Sequence, residues 1–254
     1  MKFDTYVPSE RLAPYVSRLV ITENAFENEY TVFPSTGLVI GFQYRGTLSL
    51  LQEKKETLLH PAGITGISDR YKRFKHAPGI GTILVYFTEI GFTQFATIPA
   101  NELFNQSLSL ETVFDPAAVS EVEEKLALAT TDQQRIRVTE HFLLKQVKDL
   151  QTDRLIMEAI RLIYVSGGTI RIKELTDKLF ISPSPFEKRF RKVVGTTPKK
   201  FASIVRLNAV VNSLEPSKSL TEICYENHFF DQAHFIRAFK QFTGETPERF
   251  KRLL

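Results

Sequence analysis

The sequence predicts an α+β protein: a strand-rich N-terminal part forming a small β-barrel or sandwich, two connecting helices, and an all-helical C-terminal domain with two helix-turn-helix units. Three observations predict it. Seven short β-branched or aromatic runs precede residue 90, a helical apolar period sets in near Pro116, and a C-terminal segment recurs after a shift of 49 positions. The expected division is 1–115 for the strand-rich domain, 116–150 for the connecting helices and 151–254 for the helical domain.

The strands are expected at Leu19–Thr22, Tyr30–Phe33, Leu38–Tyr44, Leu48–Leu51, Thr57–Leu59, Ile64–Ile67 and Thr82–Phe87. Turn formers separate them, such as Pro34-Ser35-Thr36-Gly37, Arg45-Gly46 and Ala77-Pro78-Gly79, and short strands at this spacing suit a barrel or sandwich. Val119, Val122, Leu126 and Ala129 then fall on one helix face. Thr131 reads as an N-cap with Gln134 as its capping-box partner, opening a second helix through Phe142, Leu143 and Val147.

The repeat is read most clearly in a helix expected from Asp231 to Thr243. Asp231 caps it, Phe235, Ala238, Phe239 and Phe242 form its apolar stripe, and Gly244 ends it. A shift of 49 positions lays Ser182 on Asp231, Phe186 on Phe235, Lys188 on Arg237, Phe190 on Phe239, Gly195 on Gly244 and Pro198 on Pro247. Short amphipathic helices at Ile172–Leu179 and Leu220–Asn227 precede the two copies, so each copy is a helix-turn-helix. A helix from Pro198 to Leu214 would join them.

Charge is divided between the halves. Residues 1–150 carry 15 Lys and Arg against 18 Asp and Glu, a net −3, while residues 151–254 carry 18 against 11, a net +7. A basic half with two helix-turn-helix units points to nucleic acid. One cysteine, Cys224, leaves no intramolecular disulfide and no CxxC metal motif. The N-terminal stretch MKFDTYVPSERL has no apolar core of a signal peptide and no long apolar run follows, which leads to an expectation of a cytoplasmic protein without a membrane partner.

The N-terminal histidines, His60, His76 and His141, are too scattered for the converging ligands a metal requires, so neither metal nor cofactor is expected. Phe33, Phe42, Tyr44 and Tyr86 are candidates to line a small-molecule pocket, although alternating strand aromatics more often form plain core.

Phe229, Asp231, His234, Phe235, Arg237, Phe239, Lys240, Gly244, Thr246, Pro247 and Phe250 stand where the second repeat of a known domain carries the same residues. Residues 154–254 thus resemble the DNA-binding domain of the AraC/XylS family of bacterial transcription regulators. In layout only, the strands and two helices before them are similar to the cupin-like regulatory half that many members carry. The chain departs from the family at His228, where a glycine is usual, at Cys224, where alanine is common, and at Arg189, which takes the place of Ala238.

The resemblance implies a sequence-specific regulator of promoter DNA, responsive to an unidentified effector through its N-terminal domain, and it leaves room for a homodimer and for contact with RNA polymerase. Ser184, Glu187 and Lys188 in the first unit and Gln232, Ala233, Ile236 and Arg237 in the second are expected to face base edges. Arg191, Lys192, Lys199, Lys200 and Lys240 are expected at phosphates. An N-terminal domain that serves only as a structural or protein-binding module is the alternative. A DNA-repair enzyme on the same scaffold is more remote, since Cys224, its one available nucleophile, falls on an apolar helix face.

Overall fold

A computed structural model describes residues 1–52, 55–214, 219–229 and 231–252, with Leu220 described in its backbone only. In chain order the strands are β1 (Lys2–Tyr6), β2 (Val16–Asn24), β3 (Asn28–Val32), β4 (Val39–Arg45), β5 (Leu48–Gln52), β6 (Lys55–Leu58), β7 (Ala62–Thr65), β8 (Lys72–His76), β9 (Ile80–Phe87) and β10 (Ser107–Ser109). They form two antiparallel sheets, one in the order β1-β2-β9-β4-β7-β10 and one in the order β3-β8-β5-β6. The sheets do not close into one hydrogen-bonded barrel among the described residues, so the sandwich alternative is the one observed.

All seven expected strands are present, most with shifted ends, and β1, β8 and β10 are additional. The sequence of β8, KRFKH, hides its strand character because a single Phe stands among cations. The backbone resolves it: Lys72, Phe74 and His76 face inward, while Arg73 and Lys75 point out and pair with Glu29 at 2.7 Å and Glu27 at 3.2 Å.

Period-two alternation gives the larger sheet two different faces. Leu19, Ile21, Ile40, Phe42, Ile83, Val85 and Phe87 are buried in the core that runs on to the helices. Each such side chain contributes roughly 1.5–3 kcal/mol relative to exposure. Against this core lie α1 (Pro116–Leu128), capped by Asp115, which accepts from Ala118 N at 3.1 Å, and α2 (Asp132–Gln146). The Thr131–Gln134 capping box at the start of α2 is formed in both directions.

The helical part comprises α3 (Arg154–Val165), α4 (Ile172–Lys178), α5 (Pro183–Val194), α6 (Pro198–Asn212), α7 (Leu220–Glu226), α8 (Gln232–Thr243) and α9 (Pro247–Lys251). Helices α4 and α7 end one residue short of expectation, at Lys178 and Glu226, and two others depart further. Helix α3 was not separately resolved in the sequence, and α6 stops at Asn212 rather than Leu214, with Ser213 as its C-cap.

The two units reuse one local chemistry. Gly195 and Gly244 end α5 and α8 at φ 100° and 87°, the left-handed geometry that spares glycine a steric cost. Thr197 and Thr246 then cap α6 and α9, each followed by proline at the first helical position. The turns differ in length. The left-handed residue between the helices is Phe180 in the first unit, φ 51°, and His228 in the second, φ 55°. These stand 48 positions apart, whereas the recognition helices stand 49 apart, so the second turn holds one residue more.

Candidate nucleic-acid interface and effector cavity

Helices α5 and α8 are placed by the same apolar stripe. Phe186, Phe190 and Val194 bury one side of α5, and Phe235, Phe239 and Phe242 bury the matching side of α8. Aromatic contacts fix the roll of each helix: Phe190 meets Phe201 of α6 at 5.6 Å, and Phe239 meets Phe250 of α9 at 5.4 Å. With that side buried, Ser184, Glu187, Lys188, Arg191, Lys192 and Lys199 are exposed in the first unit, and Gln232, Ala233, Arg237 and Lys240 in the second. Ile236 is half-buried and packs against the core. Among the described residues Lys188, Arg191, Arg237 and Lys240 take part in no ion pair, which leaves their charge free for another molecule. Gln232 is already engaged, donating to Thr221 Oγ1 at 2.6 Å across the turn.

Helix α6 separates the units. At about 1.5 Å per residue its 15 residues span roughly 22 Å, shorter than the ~34 Å between successive major grooves on one face of B-DNA. Arg206 ties this strut to the second turn. Its guanidinium lies 4.1 Å from the Phe229 ring centroid and donates to His228 O at 3.5 Å. Arg189, which stands where the second unit has Ala238, is exposed and its guanidinium finds a partner: its Nε pairs with Asp153, the N-cap residue of α3.

A cavity of about 770 Å³ lies between the two sheets. Arg18, Thr22, Val39, Gly41, Thr82, Leu84 and Tyr86 line it from the larger sheet, and Tyr30, Val32, Lys72, Phe74 and His76 from the smaller. One wall belongs to the helical part: Tyr164 of α3 and Val205, Asn208 and Asn212 of α6. Asn208 Nδ2 donates to Pro34 O at 3.3 Å, and Tyr164 OH donates to Glu89 and lies at hydrogen-bond distance, 3.0 Å, from Thr36 Oγ1. Burial and the Glu89 hydrogen bond push the Tyr164 phenol well above its ordinary pKa.

The four aromatics expected here divide. Phe33 and Tyr86 line the cavity, and Phe33 also reaches the second unit, 6.3 Å from Phe242 and 5.7 Å from Phe250. Phe42 borders the cavity but turns its ring to Phe142 of α2 at 5.9 Å. Tyr44 lies away from it, donating to Glu23 Oε1 at 2.8 Å beneath the Arg135 guanidinium. The cause is the alternation of β4, which sends residues 40, 42 and 44 toward the helices and 39, 41 and 43 into the cavity.

Segment 68–72, which leads from β7 into the first residue of β8, joins the cavity to both helix-turn-helix units. Ser68, Arg70 and Lys72 line the cavity. Between them, Asp69 and Tyr71 turn outward. Asp69 pairs with Lys200 of the first unit at 2.7 Å, and its carbonyl accepts from Gln241 Nε2 of the second at 3.2 Å. Tyr71 N donates to Gln241 O at 3.3 Å, and its ring lies close against Gly244. Asn105, held at φ 62°, donates to the same Asp69 carboxylate. Burial works against the charged form of Asp69, but the hydrogen bonds from Lys200 and Asn105 outweigh it and lower the pKa.

His60 and His76 both reach the cavity, but no group of three or more His, Cys, Asp or Glu that could hold a metal occurs among the described residues. Cys224 is buried, and burial pushes its thiol pKa up, the reverse of the activated thiolate that repair chemistry requires. The side chain of Leu220, expected beside it, lies outside the described residues. No described helix is long and apolar enough to cross a membrane.

A family model described as a helix-turn-helix domain matches residues 175–253, and one described as a domain of unknown function (DUF6597) matches residues 4–109. The chain is similar to the Msm operon regulatory protein of Streptococcus mutans, with 26% identity over 157 residues, 60% of this chain and 56% of that protein. It is also similar to an HTH-type transcriptional regulator of Staphylococcus aureus, with 28% identity over 83 residues, 32% of this chain and 11% of that protein. The chain thus spans about half the length of one curated relative and a small part of the other. Among solved structures, ToxT from Vibrio cholerae aligns with 93% of this chain and 98% of its own at 11% identity and a TM-score of 0.49. The AraC-like transcriptional activator CuxR aligns with 82% of this chain and 86% of its own at 15% identity and a TM-score of 0.33.

Proposed function

We propose that the whole chain is a sequence-specific DNA-binding transcription regulator of the AraC type, with residues 175–253, which match a helix-turn-helix family model, as its reading part and an N-terminal part that responds to a small molecule. The observation that carries the reading is the pair of matched recognition helices, each with its apolar side buried and unpaired cations on the other. Lys188 and Arg237 donate to base edges, with Ser184, Glu187, Gln232, Ala233 and Ile236 beside them. Gln232 must first leave Thr221. Arg191, Lys192, Lys199 and Lys240 neutralise phosphates, so affinity falls steeply with salt. The deficit between a ~22 Å strut and ~34 Å groove spacing is met by helix tilt or by bending the duplex.

The response to a small molecule rests on where the cavity lies. Its wall includes α6, the strut between the units, and segment 68–72 holds the first unit through Lys200 and the second through Gln241. A molecule that moves this wall shifts the balance between two placements of the reading helices only as far as its affinities for them differ.

Selection of duplexes from a random pool with the full chain tests the proposal. It should return two half-sites about one helical turn apart, bound more weakly as salt rises. Recovery of no preferred duplex would overturn the regulator reading.

A further inference from the structure

The charges on the cavity wall are unbalanced. Glu23 is the one acid lining the cavity among the described residues, and it is engaged, accepting from Tyr44 OH at 2.8 Å and facing Arg45 at 3.7 Å. Three cations share the wall: Arg18, Arg70 and Lys72. Arg70 lies beside Asp69, Nε to Oδ1 3.4 Å. Arg18 stacks 4.3 Å over the Tyr86 ring.

Lys72 has only neutral partners among the described residues: its Nζ donates to Ser107 Oγ at 2.9 Å and to Gln106 O at 3.0 Å, leaving one ammonium proton unused. Burial pushes its pKa down to about 8, and no carboxylate opposes that. A desolvated ammonium without a counter-ion is costly, and such groups concentrate where a ligand supplies the missing charge. Around it the wall is aromatic and aliphatic, with Tyr30, Val32, Phe74 and Leu84.

From this arrangement we infer that the cavity takes a molecule with an apolar body and a single anionic group, and that the anion docks on the Lys72 ammonium. The inference rests on the reading of the cavity as the effector site and adds the chemical class. A polyanion is disfavoured, because of the three lining cations only Lys72 and Arg18 lack a carboxylate partner among the described residues to balance further charge. A neutral apolar molecule would fill the space but leave Lys72 uncompensated. Cavities of this volume are of the size that encloses small organic ligands.

Two fluorescent probes separate the possibilities: anilinonaphthalene sulfonate, an apolar anion, and N-phenylnaphthylamine, the same ring system without the sulfonate. Each is titrated into the folded full-length chain, into Lys72→Met and into Lys72→Arg, with circular dichroism confirming the fold. A charge-assisted contact should make the wild-type chain bind the anion about tenfold more tightly than the neutral probe. Lys72→Met should abolish that preference without weakening the neutral probe, and Lys72→Arg should restore most of it. Should Lys72→Met fail to fold, Lys72→Gln takes its place. Equal affinities in the wild type, or an anion affinity unmoved by removing the charge, would overturn the inference while leaving the cavity as a binding site. Binding of neither probe would overturn the effector reading itself.

Discussion

Asp69 Oδ2 lies 2.7 Å from Lys200 Nζ, so a carboxylate of the strand-rich part occupies a lysine that the sequence assigns to DNA phosphate. The ion pair and the phosphate compete for one ammonium, which the Phe104 ring also approaches at 4.6 Å. Asp69→Asn should therefore strengthen binding to any duplex and steepen the salt dependence by about one ion. Fluorescence anisotropy across a salt series reads both effects. An unchanged slope would mean that Lys200 never reaches a phosphate.

Phe180 is 97% exposed and sits at φ 51°, two unfavourable conditions in one residue. Phe180→Gly should raise stability by about 0.5–1 kcal/mol, the relief of left-handed strain less the entropy glycine adds to the unfolded chain. His228→Gly, at φ 55°, should gain less, because His enters the left-handed region at a smaller cost than Phe. Urea unfolding of the two variants orders them, and a loss of stability in Phe180→Gly would refute the strain argument.

Arg206→Ala should destabilise the second unit by about 1–2 kcal/mol through loss of the stacked guanidinium over Phe229. Hydrogen exchange should show the loss in α7 and α8 before α4 and α5. Arg206→Lys should not rescue it, since an ammonium cannot stack flat on the ring. Uniform loss across both units would contradict a role confined to the second turn.

Lys72→Met carries a stability signature as well. The folded-state pKa of Lys72 lies near 8 and its unfolded value near 10.5, so between these values the unfolded chain binds more protons. The wild-type penalty is therefore full below pH 8 and fades as pH rises toward 10.5. The variant should melt higher than wild type at pH 7, by an amount on the order of 1 kcal/mol, with the difference shrinking at pH 10. A variant less stable at pH 7 would show that the hydrogen bonds to Ser107 and Gln106 outweigh the burial cost.

Much of the helical part was legible in the sequence because its signals are local. The Phe stripes at helical spacing, the Asp231 cap, the closing glycines and the Thr131–Gln134 box each lie within one or two turns. The extra residue in the second turn was not legible, since the 49-position match of the helices masked the 48-position match of Phe180 and His228. The cavity wall was harder still. Lys72, Arg18 and Asn208 come from β8, β2 and α6, and only sheet register and docking of the helical part bring them together. Strand β8 is hidden in the sequence because its cavity face carries Lys and His, residues that ordinarily mark a solvent face. Tyr44 resembled a pocket residue from its type, but one step of alternation decided its side.

The central claim, that both units read one duplex, is tested most directly by footprinting the full chain on a selected duplex alongside Arg237→Ala and Lys188→Ala. Two protected major-groove windows should lie about one helical turn apart on one face of the duplex. Arg237→Ala should lose about 1–3 kcal/mol and relax preference at one base pair in one window, and Lys188→Ala should do the same in the other. Protection of a single groove, with Lys188→Ala indistinguishable from wild type, would contradict the account.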